Sequence, residues 1–286
     1  MKRIFMLIYL LACKEEIKLK IEDLNKFYIY SPDSLVFNFF ISNFDTFFYK
    51  FVKLEKLNNL NEINNLILIL KKSDKNFLKF YRFINFINND IGFAQNVNKR
   101  GDFILGIFGE NEEDLKFNIY KNTTFIDSIL KFRAYENAYR RAIYFGIDDE
   151  KKRIIENKYG ISINVPVGWN FANDTIKEIL QMTKLNPRRT FLLFLSNDIL
   201  NLDFNSILNL RKKFNKDDSL FEIRISDKNF NRSCINGKFK DGFFKSCVGK
   251  YENKFYFYDI KVLDTINGFQ YILEIDGFLA RSKELK

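Results

Sequence analysis

Leu66-Ile67-Leu68-Ile69-Leu70 is a continuous apolar run held between Asn64-Asn65 and Lys71-Lys72. Such a run predicts a central strand covered on both faces. Ser73-Asp74 follows and can cap a helix through Phe77, Phe80, Tyr81 and Ile84. The same order recurs later, where Phe191-Leu192-Leu193-Phe194-Leu195 reads as a second buried strand and a helical pattern follows through Ile207, Leu208, Leu210 and Phe214. Tyr28-Ile29-Tyr30-Ser31-Pro32 and Ile161-Ser162-Ile163-Asn164-Val165-Pro166 each set a strand ahead of a proline. These parallels predict a weak duplication: an N-terminal α/β half over residues 27–157 and a C-terminal α/β half over residues 158–286.

Working outward, Phe39, Phe40, Phe44, Phe47, Phe48 and Phe51 lie at three- and four-residue spacing, which predicts one helix from Leu35 to Phe51 with an aromatic core face. Asp102 to Gly109 reads as a strand that hands over to the acidic segment Glu110 to Asp114, suited to a helix N-terminus. A long helical pattern through Leu115, Ile119, Ile126, Leu130, Ala134, Ala138 and Ala142 then connects the halves. Arg133, Glu136, Arg140 and Arg141 on it form either surface pairs or a small anion site. Lys254 to Val262 and Tyr271 to Ile275, on either side of Asn267-Gly268, read as an antiparallel pair. The expected fold class is α+β, with two related α/β halves, mixed sheets, a long connecting helix and antiparallel strands at the C-terminus.

The 286-residue chain is 47% hydrophobic with 3 Pro and 12 Gly, so it can bury a sizeable core. It contains no His, which removes Ser-His-Asp and Cys-His nucleophile systems and every zinc site that needs imidazole. Walker A, Rossmann and nucleophile-elbow motifs are also missing from the sequence. The expectation is a protein that is not an enzyme and has no cofactor and no metal. The 34 Phe fit a low-GC coding bias, and the +10 charge (46 basic against 36 acidic residues) is spread along the chain. Scattered charge gives solubility and attraction to anionic surfaces more than a nucleic-acid stripe.

Met1-Lys2-Arg3, the apolar run Ile4 to Ala12, and Cys13 before Lys14-Glu15-Glu16 have the parts of an export signal. Leu10-Leu11-Ala12-Cys13 resembles a bacterial lipobox, in which the Cys thiol is acylated and the preceding bond is cut. The resemblance implies a signal peptide over residues 1–12, a short tether over 13–26, and a lipid anchor at Cys13 holding the body to a membrane outside the cytoplasm. Loss of Lys2 and Arg3 would take the charge from +10 to +8. The alternative is a buried first strand with Cys13 in the core, which would make a cytosolic nucleic-acid binder the reading of the basic charge.

Cys234 and Cys247 would stand opposite each other if Phe239 to Gly242 turns a hairpin, either bonded or as two buried thiols. In an oxidising compartment the bond contributes about 3 kcal/mol. Arg188 and Arg189, after Pro187, can hold a phosphate or sulfate or can be a solvated turn. Trp169 is either a stacking platform or a core edge. Asp198, Asp203, Asp217 and Asp218 fit no calcium-loop spacing and read as solvated.

The strand near 102–109, the helix with Glu136 and Arg140, Lys158-Tyr159-Gly160 through Val167-Gly168-Trp169, and Ile275-Asp276-Gly277-Phe278-Leu279-Ala280 together resemble a family of uncharacterised bacterial lipoproteins. The resemblance covers most of residues 27–280 but lacks the family's glycine-rich, tryptophan-containing segment before the last strand. It implies an envelope lipoprotein with an α+β body and carries no site residues. The function expected is a lipid-anchored extracytoplasmic binding or structural module for an envelope protein partner, with a small-ligand or polyanion receptor as the alternative.

Overall fold

The structure, a computed structural model, describes residues 19–58, 60–88, 90–98, 101–173, 179–198, 200–215, 219–228 and 231–282. The expected signal peptide (1–12), the lipidation site Cys13, and Asp217 and Asp218 lie outside the described residues. The fold is α+β, and the chain divides into two compact units, Met1–Ala134 and Tyr135–Lys286. That division falls inside the long helix, ahead of the boundary expected near residue 158.

In the first unit, β1 (Lys26–Tyr30), β2 (Lys50–Leu54), β3 (Asn65–Lys71), β4 (Asn85–Phe86), β5 (Ile91–Gln95) and β6 (Phe103–Gly109) form a mixed sheet in the order β2-β1-β3-β6-β5-β4. β2, β1, β3 and β6 run parallel, and β5 and β4 join antiparallel at one edge. Leu66 to Leu70 is buried throughout, as a central strand with both faces covered must be. One face carries α1 (Ser34–Ser42), α3 (Glu112–Lys121) and the start of α4 (Thr123–Ala142), packed on Phe27, Ile29, Ile67 and Ile69. The opposite face carries α2 (Phe77–Tyr81), packed on Leu68, Leu70 and Phe108.

The expected helix from Leu35 to Phe51 is shorter. Asn43 ends it by bonding back to Phe39 O, Asp45 accepts the Phe47 N–H, and the chain re-enters the sheet as β2. Phe51 therefore meets Phe40 from a strand, with ring centroids 5.6 Å apart. The expected tether is also partly folded: Leu19 and Leu24 are buried, and the Asn25 amide donates to Phe48 O.

The second unit holds an antiparallel sheet in the order β10-β11-β12-β13-β9-β8-β7. Its strands are β7 (Asn170–Asn173), β8 (Ile179–Lys184), β9 (Arg189–Ser196), β10 (Leu220–Lys228), β11 (Arg232–Phe239), β12 (Gly242–Tyr251) and β13 (Lys254–Val262). α5 (Asp149–Tyr159) and α7 (Gly268–Leu279) pack on one face through Ile155, Ile272 and Ile275. α6 (Phe204–Phe214) packs on the other through Ile207 and Phe214. The likeness between the halves stops at local order, because β3 pairs with parallel neighbours and β9 with antiparallel ones.

Two sequence expectations change here. Tyr271 to Ile275 is helix, not strand: Asp264 accepts the Ile266 and Asn267 N–H groups at 2.8 and 2.7 Å, turning the chain into α7. Ile161 to Val165 alternates inward, with Ile161, Ile163 and Val165 buried, yet it joins no sheet and makes an isolated bridge only at Pro166.

Candidate functional site: a cationic cleft on the antiparallel sheet

Strand alternation decides which side chains reach this site. On β8, Leu180 and Met182 point into the core beneath α7, so Ile179 and Gln181 face the other way. On β9, Phe191 and Leu193 go to the α7 face while Leu192 joins the α6 face with Thr190. α6 packs mainly across β11, β12 and β13. The α6-side surface of β8 and β9 is thus left as the floor of a cleft of about 440 Å³.

Gln181, Thr190 and Lys261 supply polar groups from three neighbouring strands, and Ile179, Leu192, Phe214 and Leu263 supply apolar surface. Arg188 stands at its end, exposed, with its carbonyl fixed by the Leu263 N–H at 2.9 Å. Asp259 lies on the wall, but its carboxylate is already committed. It accepts from Arg211, from Ser246 Oγ at 2.5 Å and from Asn215 Nδ2 at 3.0 Å. Arg211 itself is buried over the Phe244 ring, 3.9 Å from its centroid. A carboxylate so saturated is neither a free base nor a metal ligand. Arg188 and Lys261 bring positive charge to the lining, Lys261 with its Nζ 4.7 Å from the centroid of the Phe239 ring, and this suits a phosphate or carboxylate with an apolar portion.

Arg188 and Arg189 do not form the joint anion site the sequence suggested. Arg189 is the first residue of β9 and points to the α7 face, where its guanidinium bonds Glu274 at 3.0 Å and covers Tyr271. Arg141 meets the same carboxylate at 3.0 Å. Lys184, half-buried beside them, is pushed below its ordinary value first by burial and then by Arg189. Deeper under α7, Lys245 pairs with Asp276, which also accepts from Tyr258 at 3.1 Å and Tyr135 at 3.3 Å. Burial alone would lower the Lys245 ammonium; Asp276, Tyr135 and Tyr258 together outweigh it and raise the group far above the ordinary value. These pairs dock a helix, which accounts for buried carboxylates on α7 that carry no sequence motif.

The other residues singled out by sequence go to separate places. Trp169 is buried edge-on against Phe278, a core position. Arg133 is buried in the first unit, where it donates to Asn65 and Gly101 O, whereas Glu136 pairs with Arg281 in the second. Asp203 caps α6 and Asp198 is exposed. Among the described residues no three His, Cys, Asp or Glu side chains converge as a metal site. Cys234 and Cys247 are register partners on β11 and β12 and are bonded to each other. The turn between them is two residues, Lys240 and Asp241. Gln181, Thr190, Asp259 and Lys261 were not singled out by sequence, and the only available signal was their polarity at alternate positions of otherwise apolar strands; Asn215, which ends α6, was not singled out either.

No family model matches the chain, and no curated protein matches it. Among solved structures it is similar to the solution structure of cyanobacterial PsbP (CyanoP) from Synechocystis sp. PCC 6803. The likeness is at 11% identity and a TM-score of 0.31, over 44% of this chain and 86% of that one. No helix among the described residues is long and apolar enough to cross a membrane.

Proposed function

We propose that this chain is a lipid-anchored, extracytoplasmic, non-catalytic receptor that takes a small anionic ligand in the cleft of its second unit. The observation that carries the binding reading is the cleft itself: Arg188 and Lys261 face a partly apolar cavity whose own carboxylate, Asp259, is held by Arg211, Ser246 and Asn215. Anchoring rests on Leu10-Leu11-Ala12-Cys13. The Cys234–Cys247 bond supports an oxidising compartment, where such bonds persist.

Two measurements test the two parts. Mature protein from its native membrane should have a mass lacking residues 1–12 and carrying acyl chains at Cys13; an intact, unacylated N-terminus removes the anchor. At low salt the chain should be retained on heparin and released by modest salt. Arg188→Ala and Lys261→Ala should each weaken that retention. Wild-type retention unchanged by either substitution would rule out the cleft as the anion site.

A further inference from the structure

The first unit has a cavity of its own, and its position follows from the topology. β1 and β3 are parallel neighbours. The chain leaves β1 into α1, which packs on one face of the sheet, and leaves β3 into α2, which packs on the other. Where two adjacent parallel strands send their connections to opposite faces, a crevice opens outside their carboxyl ends, and this is where open α/β sheets hold ligands. Here the crevice measures about 490 Å³, bounded by Pro32 to Leu35 after β1 and by Ile69 to Asp74 at the end of β3. That volume is the size of a small-molecule site.

Topology gives the place, and the side chains give the chemistry. In many such crevices a helix N-terminus receives a phosphate. In this one Asp33 has taken that role, its Oδ1 accepting the Leu35 N–H at 2.9 Å and the Val36 N–H at 3.4 Å. Asp74 adds a second carboxylate, with its Oδ1 engaged by the Asn76 N–H at 2.7 Å. Lys71 brings one ammonium, 3.8 Å from Asp33 Oδ2. An anion would face two carboxylates and a helix end already capped, and a cationic amine would face Lys71. A neutral ligand with several hydroxyls suits both signs, because each hydroxyl can donate to a carboxylate or accept from the ammonium. Pro32 and Leu35, both exposed, offer apolar surface for its C–H groups.

We propose that the crevice between the carboxyl ends of β1 and β3 is a second binding site, for an uncharged polyhydroxylated ligand of the sugar class. It is independent of the cationic cleft in charge, sheet and unit, so either can fail without the other. The test is titration calorimetry of the full chain with glucose, N-acetylglucosamine and maltose, and with inorganic phosphate as the contrasting probe. Saturable binding of at least one sugar is expected, weakened at least tenfold by Asp74→Ala and by Ser73→Phe, which fills the crevice from an exposed loop position. Arg188→Ala should leave it unchanged. Absence of saturable binding to all three sugars, unchanged binding in both crevice variants, or loss in Arg188→Ala overturns the proposal. Circular dichroism of each variant separates loss of the site from loss of the fold.

Discussion

Truncating Arg189 to Ala takes from buried Glu274 one of the two guanidinium groups bonded to it, leaving that of Arg141, and strips the cover from Tyr271. Breaking a buried pair on one side costs about 3 kcal/mol, so Arg189→Ala should lower the urea midpoint clearly. Arg188→Ala, at an exposed position, should shift stability by less than about 0.5 kcal/mol while weakening retention on heparin. Equal urea midpoints for the two variants would contradict this division of roles. The sequence showed a basic pair but not that a strand begins between its members and sends them to opposite faces. Lys245 and Tyr258 make a further residue-level prediction. Both hold their protons more tightly when folded than at their ordinary values of 10.5 and 10.0. Above about pH 10 the unfolded chain therefore binds fewer protons than the native one, and stability falls as pH rises. The contribution is complete below that range, so neither group should make stability vary between pH 6 and 9. Urea titrations at pH 8, 10 and 11 should show the loss confined to the alkaline end, and it should shrink in the double variant Lys245→Met with Asp276→Leu.

α7 shows how an element can be misread when its environment is unusual. Ile272, Ile275 and Leu279 have helical spacing, but Gly268, Gln270, Glu274 and Asp276 are buried with them, so no polar stripe marks the period. What fixes the helix is the Asp264 side chain, which holds the turn before it, and the pairing of Glu274 and Asp276 with cations from β9 and β12. Asp264→Ala should cost about 1 kcal/mol, read as a drop in thermal midpoint, while Asp264→Asn should retain most of the stability because its side-chain oxygen can still accept. The β11–β12 hairpin was more legible, since residues equidistant from a short turn must pair whatever the rest of the molecule does. Cys234 and Cys247 satisfy that arithmetic. Gly242 has a packing reason as well: a Cβ there would lie 1.9 Å from Val262 O on the neighbouring strand. The early Phe helix failed for a local reason that was visible in the sequence, because Asn43 and Asp45 compete for backbone groups and end it.

At the scale of the whole chain, buried strands and helix faces could be read locally, but strand pairing could not. A run such as Phe191 to Leu195 has the same inward apolar demand whether its neighbours are parallel or antiparallel, and partners far along the chain decide between them. The result is two units with separate apolar clusters, of which the second holds both Trp169 and the Cys234–Cys247 bond. Trp169 is the only Trp in the chain, so its fluorescence reports the second core alone, whereas far-ultraviolet circular dichroism reports helices and strands of both. Reducing the bond releases the loop constraint on the unfolded second unit and should remove about 3 kcal/mol of its stability. The first unit contains no part of that bond. In reducing buffer the fluorescence transition should therefore move to lower urea, while a portion of the circular-dichroism change stays at its original midpoint. Cys234→Ser with Cys247→Ser should reproduce the separation without reductant. Coincident curves that shift together would show that the chain unfolds as one cooperative body, and the two cores would then have to be treated as a single thermodynamic unit.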